Sequence, residues 1–463
     1  MDHDSTLQQQ LSLLLQTQQQ DLPWLQRICR QLAQQGRWSL LLALVQSKNW
    51  AEPQRSFAAT VQVSALRRLG QHDAAIQLLQ QMIQQGQSQD WHLLGLLQKE
   101  AGASDAARNS LRQTIAQNPA SGASWWLLSD LNPNWTAAEL ATLRQQAASA
   151  TTAEQQAFFY YSLHRALHMQ QDYAGAFSAL SQGAAAKKRA LNYRLQPELA
   201  EFSRIPQQFS ADLLQRQPPQ PELGRECIFI CGLPRSGTTL TEQILSAHSQ
   251  VTAGDELYEL ARASEMVLNQ RQLQLPFPDW ANRLQDPDWQ QLGQHYLNLT
   301  KPLQLKGLFT DKMPLNFKAL GLIHKALPGA KLIWCRRDPL DTIWGCYRQL
   351  FDQGIGFSYD LDELYQYQQA SDALMRYWQQ QLGDKLLTLD YEQLVQDPHA
   401  QIHRLLAFCG LEAEAGCFEF HLNARAVHTL SNQQVRQPLH QEGIKSWQPY
   451  APYLQQLLAK FNP

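Results

Sequence analysis

The sequence lacks both a strong net charge and a long hydrophobic run. Its 463 residues carry 39 Lys and Arg against 41 Asp and Glu, a formal net charge of −2. No overall basic field therefore draws the protein to nucleic acid or to an anionic membrane surface, and any anion site must be local. No apolar run approaches the roughly 18 residues that a membrane-spanning helix needs, so a soluble protein is predicted.

Paired cysteines and an export signal are also missing. The seven cysteines form no C-x-x-C pair, which argues against a zinc site and favours reduced thiols. The amino terminus is rich in glutamine and acidic residues, and it has neither the positive start nor the small-residue cleavage site of a secretory signal. We therefore expect a cytoplasmic location and no metal site.

Residues 1–205 predict an all-α domain. They are rich in Gln, Ala and Leu, with apolar residues at helical spacing. Short stretches around Gly36, Gly70 and Gly102 align with one another, 34 and 32 residues apart, and a looser copy begins at His168. This period is close to the roughly 34 residues of tetratricopeptide (TPR) repeats, which present a concave surface to peptides or proteins. A plain helical bundle is the alternative.

A different composition begins after a proline-rich linker at 206–224, where Pro218, Pro219 and Pro221 prevent a continuous helix. The second domain, 225–463, opens with the apolar run Cys227–Cys231. Further strand candidates lie at 307–310, 331–335 and 385–389, separated by helical stretches. This alternation predicts a parallel sheet between helices. The predicted fold class is therefore α plus α/β: a TPR-like helical domain followed by a P-loop-type α/β domain.

The first predicted strand runs directly into GLPRSGTT, residues 232–239, and a helical stretch follows. Two glycines separated by four residues, between a strand and a helix, have the spacing of a phosphate-binding loop. Where nucleoside triphosphate loops have a lysine after the second glycine, this chain has Thr238, and Arg235 supplies a forked donor instead. The pattern predicts a phosphate or sulfuryl site, with an ordinary glycine turn as the alternative.

Arginines also follow the predicted strand 331–335, in the segment Arg336-Arg337-Asp338-Pro339. Open α/β sheets bind their ligands at the carboxyl ends of the strands, so these arginines predict a second anion site. Two anion sites without the triphosphate lysine indicate a nucleotide phosphorylated at both ends of its ribose.

These segments resemble the 5′-phosphosulfate and 3′-phosphate loops of the sulfotransferases that use 3′-phosphoadenosine 5′-phosphosulfate (PAPS). The resemblance covers about residues 226–450 and includes Asp311–Pro314, Asp390–Pro398 and Ser431–Pro438. It is strongest to bacterial proteins that join TPR repeats to a sulfotransferase domain, with tyrosylprotein sulfotransferases as more distant relatives. The resemblance implies a PAPS-dependent enzyme that transfers a sulfuryl group to a hydroxyl, such as a tyrosine of a peptide or protein, without a metal.

The resemblance also implies roles for individual residues. The 5′-phosphosulfate would be bound by Pro234, Arg235, Ser236, Gly237, Thr238 and Thr239. Other donor-binding positions would be Arg337 and Gly345 at the 3′-phosphate and Tyr391 near the nucleotide. Arg436 would pair either with a phosphate or with a carboxylate of the fold. Catalysis would involve Glu256 as general base, Arg235 and Lys312 at the developing charge, and Ser431 near the transferring group or its neighbouring phosphate.

One position departs from the family's pattern. Eight residues after Arg337 the family usually has a serine that contacts the 3′-phosphate, and this chain has Gly345. The missing hydroxyl is expected to weaken donor binding by about 0.5–1.5 kcal/mol, and more if its partner is charged.

Alternatives remain open for the catalytic base and for the function of the protein. Asp255 is the rival to Glu256 as base, and His248 is interpreted as structural. A small-molecule kinase using ATP and Mg²⁺ stays open because Asp311 follows a predicted strand and has a carboxylate that suits Mg²⁺. A repeat-based adaptor with an inactive α/β domain stays open because of Gly345.

Overall fold

A computed structural model describes residues 10–16, 21–34, 36–132, 134–303, 305–351, 354–423, 437–439 and 443–461. Packing divides the chain into two compact units, Met1–Ala150 and Thr151–Pro463. None of the helices in the described part has both the length and the apolar surface needed to cross a membrane. All seven cysteines lie in this part, where they are buried and form no disulfide.

The first unit is helical, as predicted. Its helices are α1 (Leu22–Gln34), α2 (Trp38–Gln46), α3 (Gln54–Arg68), α4 (His72–Gln84), α5 (Trp91–Glu100), α6 (Ser104–Gln117), α7 (Gly122–Leu131) and α8 (Ala137–Ser149), and residues 10–15 are also helical. The aligned glycines Gly36, Gly70 and Gly102 have φ of 68°, 71° and 82°. They occupy the turns of the hairpins α1–α2, α3–α4 and α5–α6, where glycine has no Cβ to strain the left-handed backbone. Assignment of these hairpins to TPR repeats stays a prediction.

The second unit opens with α9 (Ala153–Met169), α10 (Tyr173–Leu191), α11 (Gln196–Gln208) and α12 (Ala211–Gln215). The turn between α9 and α10 falls in the fourth aligned stretch, with Gln171 at φ 60°. Helix α12 and the end of α11 lie inside the predicted linker. Packing thus groups residues 151–224 with the sheet, whereas composition divides the chain at 206–224, and the sequence-based domain bounds stay a prediction.

A parallel sheet forms the centre of the second unit. Its strands are β1 (Cys227–Cys231), β2 (Val251–Ala253), β3 (Leu308–Lys312), β4 (Lys331–Arg336) and β5 (Leu386–Asp390), in the order β2-β3-β1-β4-β5. The strands β1, β3, β4 and β5 match the predicted positions. Strand β2 was not predicted, because three residues at a sheet edge give too short a pattern to recognise. The predicted parallel sheet is confirmed.

Helices cover both faces of this sheet. They are α13 (Thr238–Ser246), α14 (Glu259–Gln270), α15 (Asp286–Thr300), α16 (Leu320–Ala326), α17 (Pro339–Tyr347), α18 (Leu361–Leu382), α19 (Tyr391–Gln396), α20 (Pro398–Cys409), α21 (Ala415–Phe418) and α22 (Gln455–Phe461). On one face Ile230 packs with Ile244 of α13 and Leu405 of α20. On the other, Phe229 packs on Tyr296 of α15 with ring centroids 5.6 Å apart. Both faces of β1 are therefore buried, which leaves the carboxyl ends of the strands as the place for polar side chains.

Candidate active site

The glycine loop, residues 232–237, joins β1 to α13. Gly237 has φ of 103° and Arg235 has φ of 71°, a conformation that costs a non-glycine residue about 1–3 kcal/mol and is common at functional sites. A Cβ on Gly237 would lie 3.1 Å from the ring of Tyr391, so glycine also allows the ring to approach. No side chain caps the start of α13, and the N-terminus of a helix favours a bound anion.

Two arginines meet at this loop. Arg337 donates from Nη1 to the carbonyl oxygen of Arg235 at 2.8 Å and from Nη2 to the carbonyl of Gly443. Its guanidinium lies 4.4 Å from the ring centroid of Tyr391. Burial and the charge of Arg337 lower the pKa of Arg235. The neighbouring Arg336 turns to Asp390 instead, with Nη2 and Oδ2 2.9 Å apart, so the two adjacent arginines have different surroundings.

Donors at the loop are left open for a ligand. Among the described residues, neither the buried Ser236 hydroxyl nor Nε of Arg337 has a hydrogen-bond partner. Buried polar groups are normally satisfied, and unsatisfied ones call for an explanation such as an absent ion or ligand. Thr238 and Thr239 are buried beside them. The loop therefore has the donors and the positive charge of an oxyanion site.

The second polar group is an ion pair at the carboxyl end of β3. Lys312 is fully buried, and its Nζ lies 2.7 Å from Oε1 of Glu256, whose side chain is 40% exposed. The amide of Gly232 donates to the carbonyl of Pro314 at 3.0 Å, which ties the glycine loop to the segment just after Lys312. A buried cation and a solvent-reaching carboxylate thus lie beside the loop.

A buried carboxylate that the sequence analysis missed holds this pair in place. Glu242 of α13 accepts from Thr310 Oγ1 at 2.7 Å and from the amide of Asp255 at 3.1 Å. The carbonyl of Asp255 in turn accepts from the amide of Lys312 at 2.8 Å. Asp255 has φ of 57°, so its backbone is fixed on both sides in a strained conformation that sets the direction of Glu256. A glutamate among the apolar positions of the helix after the loop was the available signal.

The remaining predicted residues are placed as follows. Tyr391 opens α19 directly after β5 and lies between the glycine loop and Arg337. A Cβ at Gly345 of α17 would lie 3.1 Å from Cβ of Arg235, so this position touches the loop arginine. Ser431 and Arg436 lie outside the described residues. His248 is buried, with Nε2 3.0 Å from the carbonyl of Glu412.

Asp311 is directed away from the glycine loop. It is fully buried on the β3 face that packs against α15, where Tyr296 donates to Oδ2 at 2.9 Å. Burial raises the pKa of this carboxyl to about 8. In the described part of the chain no three His, Cys, Asp or Glu side chains are grouped to hold a metal ion.

The sequence profile described as the sulfotransferase family matches residues 227–415, which include the glycine loop, the Glu256–Lys312 pair and Arg337. This segment belongs to the sulfotransferase family. The sulfotransferase domain therefore contains β1 to α20 and the polar groups described above.

Curated relatives are similar to part of this chain. An uncharacterized protein of Aquifex aeolicus is 31% identical over 63% of this chain and 39% of its own length. Protein-tyrosine sulfotransferase 1 of Danio rerio is 27% identical over 48% of this chain and 65% of its own length. Protein-tyrosine sulfotransferase A of Caenorhabditis elegans is 26% identical over 48% and 60%. The chain thus spans less than two thirds of the length of each of these relatives.

Among solved structures, the sulfotransferase domain from the Synechococcus PCC 7002 olefin synthase is similar to 48% of this chain over 86% of its own length. The identity is 19% and the TM-score is 0.36.

Proposed function

We propose that the protein is a PAPS-dependent sulfotransferase that acts on a hydroxyl of an acceptor, with a tyrosine side chain of a peptide or protein as the acceptor class. The observation that carries the proposal is the Glu256–Lys312 pair, 2.7 Å apart, beside an arginine-bearing glycine loop without the triphosphate lysine. The names of the protein-tyrosine sulfotransferase relatives support the acceptor class. Docking of the acceptor on the predicted helical repeats of residues 1–205 belongs to the same proposal.

Donor recognition is assigned to the glycine loop and the elements around it. The loop from Pro234 to Gly237, with the backbone N–H groups of Arg235 and Gly237, would hold the 5′-phosphosulfate. The Ser236 hydroxyl and the buried Thr238 and Thr239 would contribute to the same site. Arg337 would hold the 3′-phosphate with its open Nε. The ring of Tyr391 lies against the guanidinium of Arg337 and would hold that arginine in place near the nucleotide. The donor supplies a sulfuryl group that moves from a phosphate oxygen to the acceptor oxygen and leaves adenosine 3′,5′-bisphosphate behind.

The chemistry of the residues is proton removal and charge stabilisation. Glu256 would take the proton of the acceptor hydroxyl, since it reaches solvent while its Oε1 is held by Lys312. Lys312 and Arg235 would stabilise the negative charge that develops on the sulfuryl and leaving-group oxygens. Lys312 is well suited because it is fully buried, where charge is weakly screened. Ser431 and Arg436 keep the roles that the family resemblance implies.

The kinase alternative has less support. Asp311, the carboxylate that kept it open, is buried against Tyr296 and is directed away from the glycine loop. In P-loop enzymes a loop hydroxyl and a separate aspartate directed at the loop together hold the Mg²⁺ ion, and Asp311 is not directed there. We therefore retain sulfuryl transfer alone.

The proposal is tested by ligand-induced stabilisation. Adenosine 3′,5′-bisphosphate at about 100 times its dissociation constant should add about 2.7 kcal/mol to the folded state, measured as an upward shift of the thermal transition. Arg337→Ala should abolish most of the shift. Arg336→Ala is the matched control, because the neighbouring guanidinium pairs with Asp390, and it should retain the shift. Stabilisation by ATP with Mg²⁺ and not by the bisphosphate would refute the proposal.

A separate prediction concerns the glycine that replaces the family's serine. Gly345→Ser restores the hydroxyl, but its Cβ would lie 3.1 Å from Cβ of Arg235 and 3.5 Å from Cγ, which displaces the arginine. We expect binding of the bisphosphate to weaken by about three- to tenfold, equivalent to about 1 kcal/mol of overpacking strain. Isothermal titration of both proteins measures this, and tighter binding by Gly345→Ser would contradict it.

A further inference from the structure

A short segment late in the chain, residues 443–446, lies against the arginine of the proposed donor site. The carbonyl of Gly443 accepts a hydrogen bond from Nη2 of Arg337. A Cβ at Gly443 would lie 2.8 Å from the hydroxyl of Tyr391 and 3.3 Å from Nη2 of Arg337, so the lack of a side chain allows this close approach. Residues 443–446 are called the clasp below.

The clasp completes the fixation of the Arg337 guanidinium. The carbonyl of Arg235 holds Nη1 at 2.8 Å, Gly443 of the clasp holds Nη2, and the ring of Tyr391 covers one face with its centroid 4.4 Å away. In the part of the chain that the structure describes, Nε has no hydrogen-bond partner. A long side chain that is already held in this way loses little further freedom when an anion binds to it.

Asp341, in the first turn of α17, holds the clasp in place. This side chain is almost fully buried. Its Oδ2 accepts from the amide of Lys445 at 2.6 Å, and its Oδ1 accepts from the amide of Ser446 at 2.9 Å. Lys445 has φ of 56°, and successive N–H groups around a left-handed residue form a concave site for an anion. The carboxylate of Asp341 is that anion, and it stabilises a backbone conformation that a lysine seldom adopts.

The residues that follow the clasp are anchored on α9 and α17. Tyr450 is fully buried, with its ring centroid 4.4 Å from that of Trp344 in α17. Its hydroxyl lies 2.8 Å from Nδ1 of His168, near the end of α9. Helix α9 itself packs on α17, where Tyr161 donates its hydroxyl to the carbonyl of Tyr347 at 3.0 Å. The clasp therefore leads into a fixed support, and Asp341 supplies the attachment on the side of the donor site.

We infer that Asp341 is a positioning residue of the donor site: by holding the clasp, it keeps Arg337 oriented for the 3′-phosphate of the donor. The inference rests on the proposed function and adds to it a carboxylate, a group that disfavours a nearby anion by its charge. Charge alone therefore predicts that removing the carboxylate tightens donor binding. Loss of the clasp predicts that it weakens donor binding, so the two effects have opposite signs.

Isothermal titration with adenosine 3′,5′-bisphosphate and adenosine 5′-monophosphate tests the inference, since only the first carries the 3′-phosphate. Asp341→Asn keeps the size of the side chain but puts an NH₂ group against one of the two clasp amides, which should release the clasp. We expect binding of the bisphosphate to weaken about three- to tenfold, the cost of ordering one long side chain on binding. Binding of the monophosphate should stay within about twofold.

Asp338→Asn is the matched control. It removes the same charge three residues earlier, and its side chain accepts from the amide of Asp341 rather than from the clasp. Asparagine also caps a helix well. This variant should bind both nucleotides no more weakly than the wild type. Hydrogen exchange of a peptide covering 443–453 should become faster in Asp341→Asn and stay unchanged in Asp338→Asn.

A second variant reaches the same contact without a change of charge. Gly443→Ala pushes the clasp away from Tyr391 and Arg337, and it should show the same selective loss of bisphosphate binding. The double variant of Asp341→Asn and Gly443→Ala should lose no more than the weaker-binding single variant, because both act through one contact. Losses that multiply in the double variant would contradict the inference.

The outcomes separate the two proposals. If the wild type binds the bisphosphate no better than the monophosphate, the proposed donor is wrong. If the wild type prefers the bisphosphate and Asp341→Asn keeps that preference in full or strengthens it, the inference about Asp341 is wrong. Equal weakening of both nucleotides would indicate a purely structural role and would also overturn the inference. Gly443→Ala decides by the same criteria if Asp341→Asn does not fold.

Discussion

Replacing Glu256 with glutamine should lower the rate of sulfuryl transfer by about 10²- to 10⁴-fold, the usual contribution of a general base. The amide can still accept a hydrogen bond from Lys312, now 2.7 Å from Oε1, so the geometry of the site is retained. It cannot take a proton. Binding of adenosine 3′,5′-bisphosphate should therefore change by no more than about twofold, which separates a loss of chemistry from a loss of the donor site.

Transfer of ³⁵S from labelled PAPS to tyrosine-bearing peptides and to simple phenols measures this effect. Asp255→Asn is the matched control, since Asp255 is the adjacent carboxylate and contributes its backbone to the site. It should cost far less than Glu256→Gln. The defect of Glu256→Gln should also shrink for a phenol that ionises near neutral pH, because such an acceptor needs no base. An equal loss in both variants, or the same defect for every phenol, would argue against Glu256 as base.

Asp311 makes the stability of the second unit depend on pH. Burial raises its pKa to about 8, against about 3.9 for an unfolded chain. Between these two values the folded state keeps a proton that the unfolded state releases. The stability that Asp311 contributes is therefore fully present below about pH 4 and is lost as the pH rises towards 8. The side chain of Asp311→Asn stays neutral at every pH. Relative to the wild type, its free energy of unfolding should therefore rise by on the order of 1 kcal/mol per pH unit between about pH 4 and 8.

Hydrogen exchange of a peptide covering β3, measured for both proteins at the same pH, gives this difference because the intrinsic exchange rates cancel. Asp360→Asn is the control. Burial acts to raise the pKa of Asp360, but Lys188 and two backbone amides outweigh it and lower the pKa. A carboxyl group with a lowered pKa stabilises the fold above its ordinary pKa of about 3.9, and this stability is lost only as the pH falls below that value. The free energy of unfolding of Asp360→Asn should therefore differ from that of the wild type by a constant amount between about pH 5 and 8. A constant difference for Asp311→Asn as well would refute the prediction.

Strong local patterns made most of the fold predictable from the sequence. The β1 run Cys227–Cys231 is apolar at every position, and the glycine loop directly after it breaks the strand with two glycines. Such signals need no knowledge of distant residues. Strand β2 escaped because its three residues are recognisable as a strand only through their pairing with β3.

The site was predictable to the extent that its residues lie in motifs. Arg235 and Arg337 were found because each follows a predicted strand, and parallel strands bring their carboxyl ends together. Lys312 was found through the family resemblance. Glu242 was missed because its significance depends on contacts with Asp255 and Thr310, which no local sequence pattern predicts. For Gly345 the sequence shows only that a hydroxyl is missing. The structure adds that a Cβ at this position would lie 3.1 Å from Cβ of Arg235, where a larger residue would be crowded.

The packing of α9 on α17 determines which segment of the chain can be moved intact by recombination or in a fusion protein. The recognisable family segment starts at residue 227, yet Tyr161 and His164 cover Tyr347 and Trp344 from a helix that ends at Met169, well before that segment. A recombination event or a fusion design that kept only the recognisable segment would uncover Trp344, which is almost fully buried. The piece that can be inherited or transplanted intact is therefore the longer one that begins before α9.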